Sequence, residues 1–163
     1  MISFPSEDGP IDNAEVSDDA ADVFAFPASF AQERLWITEQ LNPEHSAYTL
    51  PFVLRLEGPL DAAALNRSIQ TVVARHEALR TTFVLLDDEL LQTVAPTLTI
   101  SMPVDDFSAA ATIDEAALAA HIAAAVAQPF DLAQGPLLRV RLLRLQPQRH
   151  LLVLNLHHLI ADG

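Results

Sequence analysis

The chain has 163 residues, 50% of them hydrophobic, and a net charge of −13, which fits one domain with a buried core and argues against nucleic acid or an anionic membrane surface as a partner. It contains no cysteine, which excludes disulfides, thiol nucleophiles and cysteine metal sites. No uninterrupted apolar run of about 18 residues occurs and no signal-peptide pattern is present, which predicts a cytoplasmic protein without a membrane span.

Residues 1–25 are predicted to form an acidic, disordered leader or linker. Seven acidic residues and no basic residue fall within residues 1–24, and this stretch shows no apolar periodicity. Docking to a basic partner is the alternative interpretation of such a segment. Residues 26–163 are then the folded part of the chain.

A helix is predicted from Ser29 to about residue 41. Ser29 as N-cap and Gln32 three positions later form a capping box. Trp36 lies off the apolar stripe of this helix, so it needs a second covering surface. The residues expected to face the core, at helical spacing, are Phe30, Ile37 and Leu41.

A strand and a second helix are expected next. Residues 52–57 alternate between apolar and polar side chains, which predicts a strand with Phe52, Leu54 and Leu56 facing inward. Asp61 is the predicted N-cap of the helix that follows. His76 falls on the inward stripe of that helix and is interpreted as a core histidine. The stripe comprises Leu65, Ile69, Val72, Val73, His76 and Leu79.

The sequence pattern in the second half of the chain predicts strands on either side of one further helix. Residues 81–86 and 90–94 form an expected hairpin, and residues 98–102 a short strand. Thr112 and Glu115 form a second capping box, which opens an alanine-rich helix. Its predicted stripe consists of Leu118, Ile122 and Val126.

Two more strands, at residues 137–145 and 150–156, complete the pattern. The second is apolar at nearly every position, so we expect it to be covered on both faces and to be central in its sheet. The order of elements predicts an α+β fold, with helices packed on a mixed, largely antiparallel sheet.

The last strand runs into two adjacent histidines, His157 and His158, followed by Asp162 and Gly163. Side chains alternate along a strand, so the two imidazoles should point to opposite faces and only one can face a given cleft. A histidine near a carboxylate suits general-base catalysis, whereas the alternative is a buried strand that ends in two ordinary histidines. We expect no metal site, because adjacent histidines on opposite faces cannot easily hold one ion and no HExxH motif occurs.

Three stretches of the chain resemble the core motifs of the condensation domains of nonribosomal peptide synthetases. They are SFAQERLW at residues 29–36, RHEALRTTF at residues 75–83 and HHLIADG at residues 157–163, and residues 130–139 resemble the family's FDLxxGPLLR stretch. The HHxxxDG pattern is shared with chloramphenicol acetyltransferase, whereas three motifs in this order are highly specific. The resemblance covers residues 26–163.

The resemblance implies one lobe of a chloramphenicol acetyltransferase-like fold and an acyl transfer that forms an amide. An amine on an acceptor peptidyl carrier protein would attack the thioester on a donor peptidyl carrier protein. Both substrates would be held on phosphopantetheine arms, and no cofactor would bind the lobe directly. Within this chemistry His158 would be the catalytic residue, as base or as positioner of the amine, and His157 would support the fold.

The resemblance also assigns supporting roles around His158. Asp162 would be mostly structural and would pair with an arginine, with Arg80 as the first candidate and Arg75 as the second. Gly163 would lie where the tetrahedral oxyanion needs room and a backbone donor.

Condensation domains have two lobes with the active site between them, and this sequence ends at Gly163, before the second lobe. We therefore expect the C-terminal lobe to come from a continuation of this chain or from another chain. The alternative function is a non-catalytic truncated lobe that docks carrier proteins or has no activity alone.

Overall fold

The computed structural model describes residues 23–41, 48–109 and 114–161. The strands in these ranges are β1 (Phe24–Pro27), β2 (Thr49–Glu57), β3 (Thr81–Leu86), β4 (Glu89–Val94), β5 (Val104–Asp106), β6 (Leu138–Gln146) and β7 (Arg149–His157). The helices are α1 (Phe30–Leu41), α2 (Ala62–Arg75) and α3 (Glu115–Val126), with short 3₁₀ turns at Glu77–Arg80 and His158–Ile160.

The strands form two sheets. One has the order β1-β4-β3 and is antiparallel, and the other has the order β2-β7-β6-β5 and is antiparallel except where β5 runs parallel to β6. The predicted α+β fold with a mixed, largely antiparallel sheet is therefore confirmed.

Helices α2 and α3 cover opposite faces of the four-stranded sheet. Val73 of α2 packs with Leu152 of β7 on one face, and Ile122 of α3 packs with Val153 of β7 on the other. Strand β7 lies between β2 and β6, so its continuous apolar run is buried on both faces, as predicted.

Helix α1 begins with the predicted capping box, in which Gln32 Oε1 accepts from the Ser29 N–H at 2.8 Å and Ser29 Oγ accepts from the Gln32 N–H at 3.3 Å. Its predicted inward stripe was wrong, because Phe30, Ile37 and Leu41 are 85%, 53% and 74% exposed. A second set with the same helical spacing faces inward instead. It consists of Gln32, Leu35, Trp36 and Glu39.

The predicted leader, residues 1–25, extends too far along the chain. Residues 1–22 lie outside the described ranges, but Phe24 and Ala25 belong to β1, where they pair with Val94 and Thr93 at the outer edge of β4. These two residues have partners for their backbone groups, so they belong to the sheet.

Strand β2 differs from its prediction in length and burial. It begins at Thr49, three residues before the predicted start, because pairing with β7 continues to the Thr49–His157 register. Phe52 and Leu54, which were predicted to face inward, are 50% and 45% exposed. Leu56, the third residue predicted to face inward, does pack in the core under α2. Strand β2 lies at the edge of its sheet.

The predicted inward stripe of α2 holds except at Val72 and His76, and its last member, Leu79, packs in the core. Asp61 caps the helix as predicted, accepting from the Ala64 N–H at 2.9 Å, and Val73 is fully buried. Val72 is 48% exposed. His76 is exposed and is the C-cap, where the chain leaves the helix and the helical spacing no longer applies.

Residues 98–102 do not form the predicted strand, and the short strand is β5. The side chain of Gln70 satisfies both backbone groups of Ile100, accepting from its N–H at 3.1 Å and donating to its carbonyl at 2.7 Å. Asp114 caps α3 by accepting from the N–H groups of Ala116 and Ala117. The predicted N-cap, Thr112, lies outside the described residues.

Candidate active site

His158 lines a surface cavity of about 490 Å³ between the first half of α1 and the end of β7. The cavity wall contains hydroxyl, amide, guanidinium and apolar groups, so it offers both hydrogen-bonding groups and apolar surface to a ligand. Its lining residues are Ser29, Ala31, Gln32, Arg34, Leu35, Thr38, Tyr48, His158 and Leu159.

Two hydrogen bonds, one from the side chain of Gln32 and one to the backbone of Tyr48, hold the turn that carries His158 at this cavity. Strand β7 ends at His157, and the chain turns at once into the 3₁₀ segment His158–Ile160. The His158 N–H donates to the carbonyl of Tyr48 at 2.8 Å, and Nε2 of Gln32 donates to the carbonyl of Leu159 at 3.5 Å. Helix α1 and the start of β2 therefore both fix the turn that carries His158.

The two adjacent histidines have opposite environments, as strand alternation predicts. His157 is fully buried, and the edge of its ring meets the ring of Phe130 at a centroid distance of 5.8 Å and an interplanar angle of 80°. His158 is half-buried and lines the cavity. Only His158 can meet a ligand there without a change of structure.

His157 is held as a neutral imidazole. Its Nδ1 accepts a hydrogen bond from the Leu159 N–H at 3.2 Å, so the proton of the neutral ring lies on Nε2. Burial lowers the pKa of His157 to about 4, and the nearby His158 contributes to this lowering. Nε2 faces Oε1 of Glu39 at 3.8 Å, and burial raises the pKa of the Glu39 carboxyl. The contact therefore joins groups whose charged forms are both disfavoured by burial.

The loop before β6 supports this arrangement. Asp131 Oδ1 accepts from the N–H groups of Ala133 and Gln134 at 3.0 and 2.9 Å, which fixes the turn. Phe130 at the start of the loop packs on His157, and the Arg139 guanidinium carbon lies 4.2 Å from the centre of the Phe130 ring. The FDLxxGPLLR-like stretch thus forms one wall around the buried histidine.

Residues 25–163 match the family model of the condensation domain. The chain belongs to the condensation-domain family. It is 45% identical over 141 residues to a chondramide synthase of Chondromyces crocatus, an alignment that covers 84% of this chain and 4% of that protein.

Solved condensation domains have the same fold as this lobe. The starter condensation domain of rhizomide synthetase RzmA matches with a TM-score of 0.78 and 31% identity over 86% of this chain and 34% of that one. A variant of that domain in complex with C8-CoA and Leu-SNAC matches with a TM-score of 0.76 and 30% identity over 85% of this chain and 32% of that one. This chain therefore spans about a third of the solved domains that it matches.

Two arginines were predicted as partners of Asp162 in this condensation-domain lobe. Arg80 Nη1 donates to the carbonyls of Ala95 and Pro96, the latter at 3.1 Å, and its Nε is buried without a hydrogen-bond partner among the described residues. Arg75 is exposed in the last turn of α2, and neither arginine lines the His158 cavity. Asp162 and Gly163 lie outside the described residues, so their pairing and oxyanion roles stay predictions.

The described part of this lobe has neither a metal-binding cluster nor a helix that could span a membrane. Within residues 23–41, 48–109 and 114–161, no group of three or more histidine, aspartate or glutamate side chains could hold a metal ion. No helix in these ranges is long and apolar enough to cross a membrane.

The contacts of three residues around His157 and His158 were not predicted from the sequence. Gln32 is predicted as a capping residue and as part of the first motif, and neither prediction includes the contact of its amide with the turn behind His158. Tyr48 contributes through its carbonyl, which no side-chain pattern reveals. Glu39 lies seven positions after Gln32 and so on the same helical face, which is the one signal that could have predicted its burial.

Proposed function

We propose that this lobe forms part of a condensation domain of a nonribosomal peptide synthetase and catalyses amide formation between two carrier-bound substrates. The observation that carries the proposal is the cavity position of His158, within a chain that matches the family from residue 25 to residue 163. The lobe runs from β1, which begins at Phe24, to residue 163, follows an acidic leader and would act in the cytoplasm.

The reaction joins the amine of an acceptor substrate to the carbonyl carbon of a donor thioester. The amine nitrogen attacks this carbon, a C–N bond forms, the C–S bond breaks, and the amine proton is finally transferred to the leaving thiolate of the donor arm. Donor and acceptor peptidyl carrier proteins would deliver both substrates on phosphopantetheine arms. The complex of a related starter domain with C8-CoA and Leu-SNAC supports a site for an acyl donor and an amine acceptor together.

His158 is the residue that we assign to the amine, as general base or as a hydrogen-bond partner that orients it. A histidine with this role holds one ring nitrogen inside the protein and presents the other to the substrate. Nδ1 of His158 is shielded from solvent and has no hydrogen-bond partner among the described residues. This asymmetry favours Nε2 as the atom that meets the amine.

Residues after His158 would stabilise the site. We assign the backbone N–H of Gly163 to the oxyanion of the tetrahedral intermediate. Asp162 would hold the turn by pairing with Arg80, or with Arg75. The unpaired, buried Nε of Arg80 supports Arg80 as the first choice, since a buried donor without a partner is costly.

Activity would require the second lobe, because the chain spans 34% of the solved starter domain and the site of a condensation domain lies between two lobes. The three exposed apolar residues on α1 and the exposed Phe52 and Leu54 on β2 support a covering partner. The second candidate is a lobe that docks carrier proteins without catalysis, which this same exposed surface also supports.

The test uses the condensation domain encoded by the reading frame that contains this chain. A donor carrier protein loaded with each of a set of acyl groups is mixed with an aminoacyl-loaded acceptor, and intact mass reports acyl transfer to the acceptor. We expect transfer by the two-lobe protein and none by residues 1–163 alone. A folded two-lobe protein that binds both carriers but transfers no acyl group would favour the docking function.

A further inference from the structure

A carboxyl group lies buried behind the two histidines. Glu39 on α1 is 7% exposed, and His157 is fully buried. Oε1 of Glu39 lies 3.8 Å from Nε2 of His157, while Glu39 Oε2 and His157 Nε2 have no hydrogen-bond partner among the described residues. Burying a carboxyl group is costly unless the group has a task or a partner, and the neighbour that it faces is the histidine next to His158.

The contact between Glu39 and His157 can select the histidine tautomer. Nδ1 of His157 must carry a lone pair to accept the Leu159 N–H, which requires the proton on Nε2. An oxygen that faces Nε2 adds to this preference, whereas an apolar group there would leave the tautomer to the Leu159 contact alone.

The same helix holds the His158 turn at two points. Gln32 reaches the carbonyl of Leu159, and Glu39, seven residues later on the same face, reaches the ring that accepts the N–H of Leu159. Helix α1 therefore contacts the Leu159 carbonyl directly, through Gln32, and the Leu159 N–H indirectly, through His157. The side chain of His158 starts one residue earlier on the same 3₁₀ segment, so a shift of the Leu159 backbone would alter the direction of its imidazole.

We propose that Glu39 is a positioning residue for His158, acting through the tautomer of His157. It keeps the proton of His157 on Nε2, the Leu159 N–H stays bonded to Nδ1, and the turn keeps the His158 imidazole directed into the cavity. The inference rests on the proposed function, because it assigns Glu39 a part in presenting the catalytic imidazole. Sequence motifs do not single out Glu39.

The titratable groups around this pair come from three elements. Glu39 faces His157 from α1, and His158 follows it on the turn. Asp131, on the loop before β6, borders the cavity of about 470 Å³ beside Glu39, and Arg139 lies across the Phe130 ring. This cavity also gives a substituted side chain at position 39 room to adjust.

Variants at position 39 separate the tautomer effect from packing. Glu39→Gln keeps a carbonyl oxygen and the side-chain length, whereas Glu39→Met keeps the length and removes the acceptor. Glu39→Asp withdraws the carboxyl group by one methylene and serves as a second test if Glu39→Met does not fold. Gln40→Met is the matched control, because Gln40 is an exposed neighbour on the border of the same cavity.

The first readout is the tautomer of His157, measured by ¹⁵N NMR of the histidine rings in the 163-residue chain. We expect Nε2 to be protonated in the wild type, Glu39→Gln and Gln40→Met, and a mixture of tautomers with faster Leu159 amide exchange in Glu39→Met. The second readout is single-turnover transfer by the two-lobe protein. We expect a loss of about 10- to 100-fold in Glu39→Met, as for a catalytic group moved by about 1 Å, and recovery of most of the rate in Glu39→Gln.

The outcomes distinguish this inference from the proposed function. A folded Glu39→Met or Glu39→Asp variant with the wild-type tautomer and transfer rate would overturn the positioning role. So would a changed tautomer with an unchanged rate, provided that His158→Ala lowers the rate in the same assay. If His158→Ala itself transfers normally, the proposed function fails, and the tautomer measurement alone shows whether Glu39 controls His157.

Discussion

The backbone N–H of Leu159 donates to Nδ1 of His157 at 3.2 Å, which joins the end of β7 to the turn that carries His158. The pair is buried, since His157 is fully buried and Leu159 is 4% exposed. Protonation of Nδ1 would remove the acceptor and bring a charge into the core. The stability of the lobe should therefore depend on the charge state of His157.

The first prediction concerns pH. Burial lowers the folded-state pKa of His157 from 6.5 to about 4, so between these values the unfolded chain binds a proton that the folded chain does not. The free energy of unfolding should then fall as pH falls through this window, by on the order of 3 kcal/mol from this group. Urea unfolding at pH 7, 6, 5 and 4 measures the loss.

The control for this prediction is His157→Asn, which retains an acceptor oxygen but does not titrate. Glu39 acts in the opposite direction, because a raised carboxyl pKa adds stability at low pH that is lost as pH rises. The difference between wild type and His157→Asn isolates the histidine. Equal pH dependence in the two proteins would contradict a buried, neutral His157.

The second prediction concerns Gln70, whose side chain bonds the backbone of Ile100 as a neighbouring strand would. Gln70→Met should lower the free energy of unfolding by about 1–3 kcal/mol, because it leaves both backbone groups of the buried Ile100 without their partner. Thr71→Ala, on the exposed face of the same helix, should stay within about 0.5 kcal/mol of wild type. Chemical denaturation of the three proteins gives the comparison, and an equal cost for both substitutions would refute it.

The third prediction concerns the polar link between α3 and the sheet. Asp105 Oδ2 accepts from Arg141 at 2.7 Å and lies 2.9 Å from His121 Nε2. Burial raises the pKa of Asp105, but the bonds from Arg141 and His121 outweigh burial, so the pKa is lowered overall. This carboxylate therefore adds stability that is present above its unfolded pKa and lost as pH falls below it.

Asp105→Asn should therefore lower the free energy of unfolding by more at pH 7 than at pH 3. The amides of α3 should exchange faster in the variant. Asp106→Asn is the control, since Asp106 is exposed and pairs mainly with Ser108 and Arg144. Hydrogen exchange of both variants at both pH values measures the difference. If the cost of Asp105→Asn does not change with pH, the ion pair contributes nothing to the fold.

The fourth prediction concerns the exposed apolar stripe of α1. Phe30, Ile37 and Leu41 are exposed at helical spacing on α1 and should make the 163-residue chain self-associate and bind a hydrophobic dye, since large exposed apolar surfaces are rare on monomers. Replacing Phe30 and Ile37 by serine should reduce both effects without lowering stability. Val72→Ser, at an isolated exposed position on α2, should change neither. A wild-type monomer that binds no dye would remove the evidence for a covering partner.

Local signals in the sequence predicted most of the fold. The capping box at Ser29 and Gln32, the cap at Asp61 and the central position of β7 all follow from residues close in sequence. The opposite environments of His157 and His158 follow from strand alternation alone. These features need no knowledge of distant contacts.

The features that could not be predicted depend on distant partners. Two sets of residues on α1 share helical spacing, and hydrophobicity favoured Phe30 and Ile37 over the set that contains Glu39. Burial of Glu39 becomes understandable only when β7 brings His157 to it. In the same way, residues 98–102 read as a strand until Gln70, 30 positions away, takes the place of a neighbouring strand at Ile100.

His158, and not its neighbour, is the histidine that we assign to the substrate. Single-turnover transfer between two loaded carrier proteins, with thermal melts of the same variants in the two-lobe protein, tests this assignment. We predict that His158→Ala melts near wild type and transfers about 10²–10⁴ times more slowly, whereas His157→Ala loses stability because the buried Leu159 N–H loses its acceptor. Normal transfer by a folded His158→Ala domain would refute this role of His158.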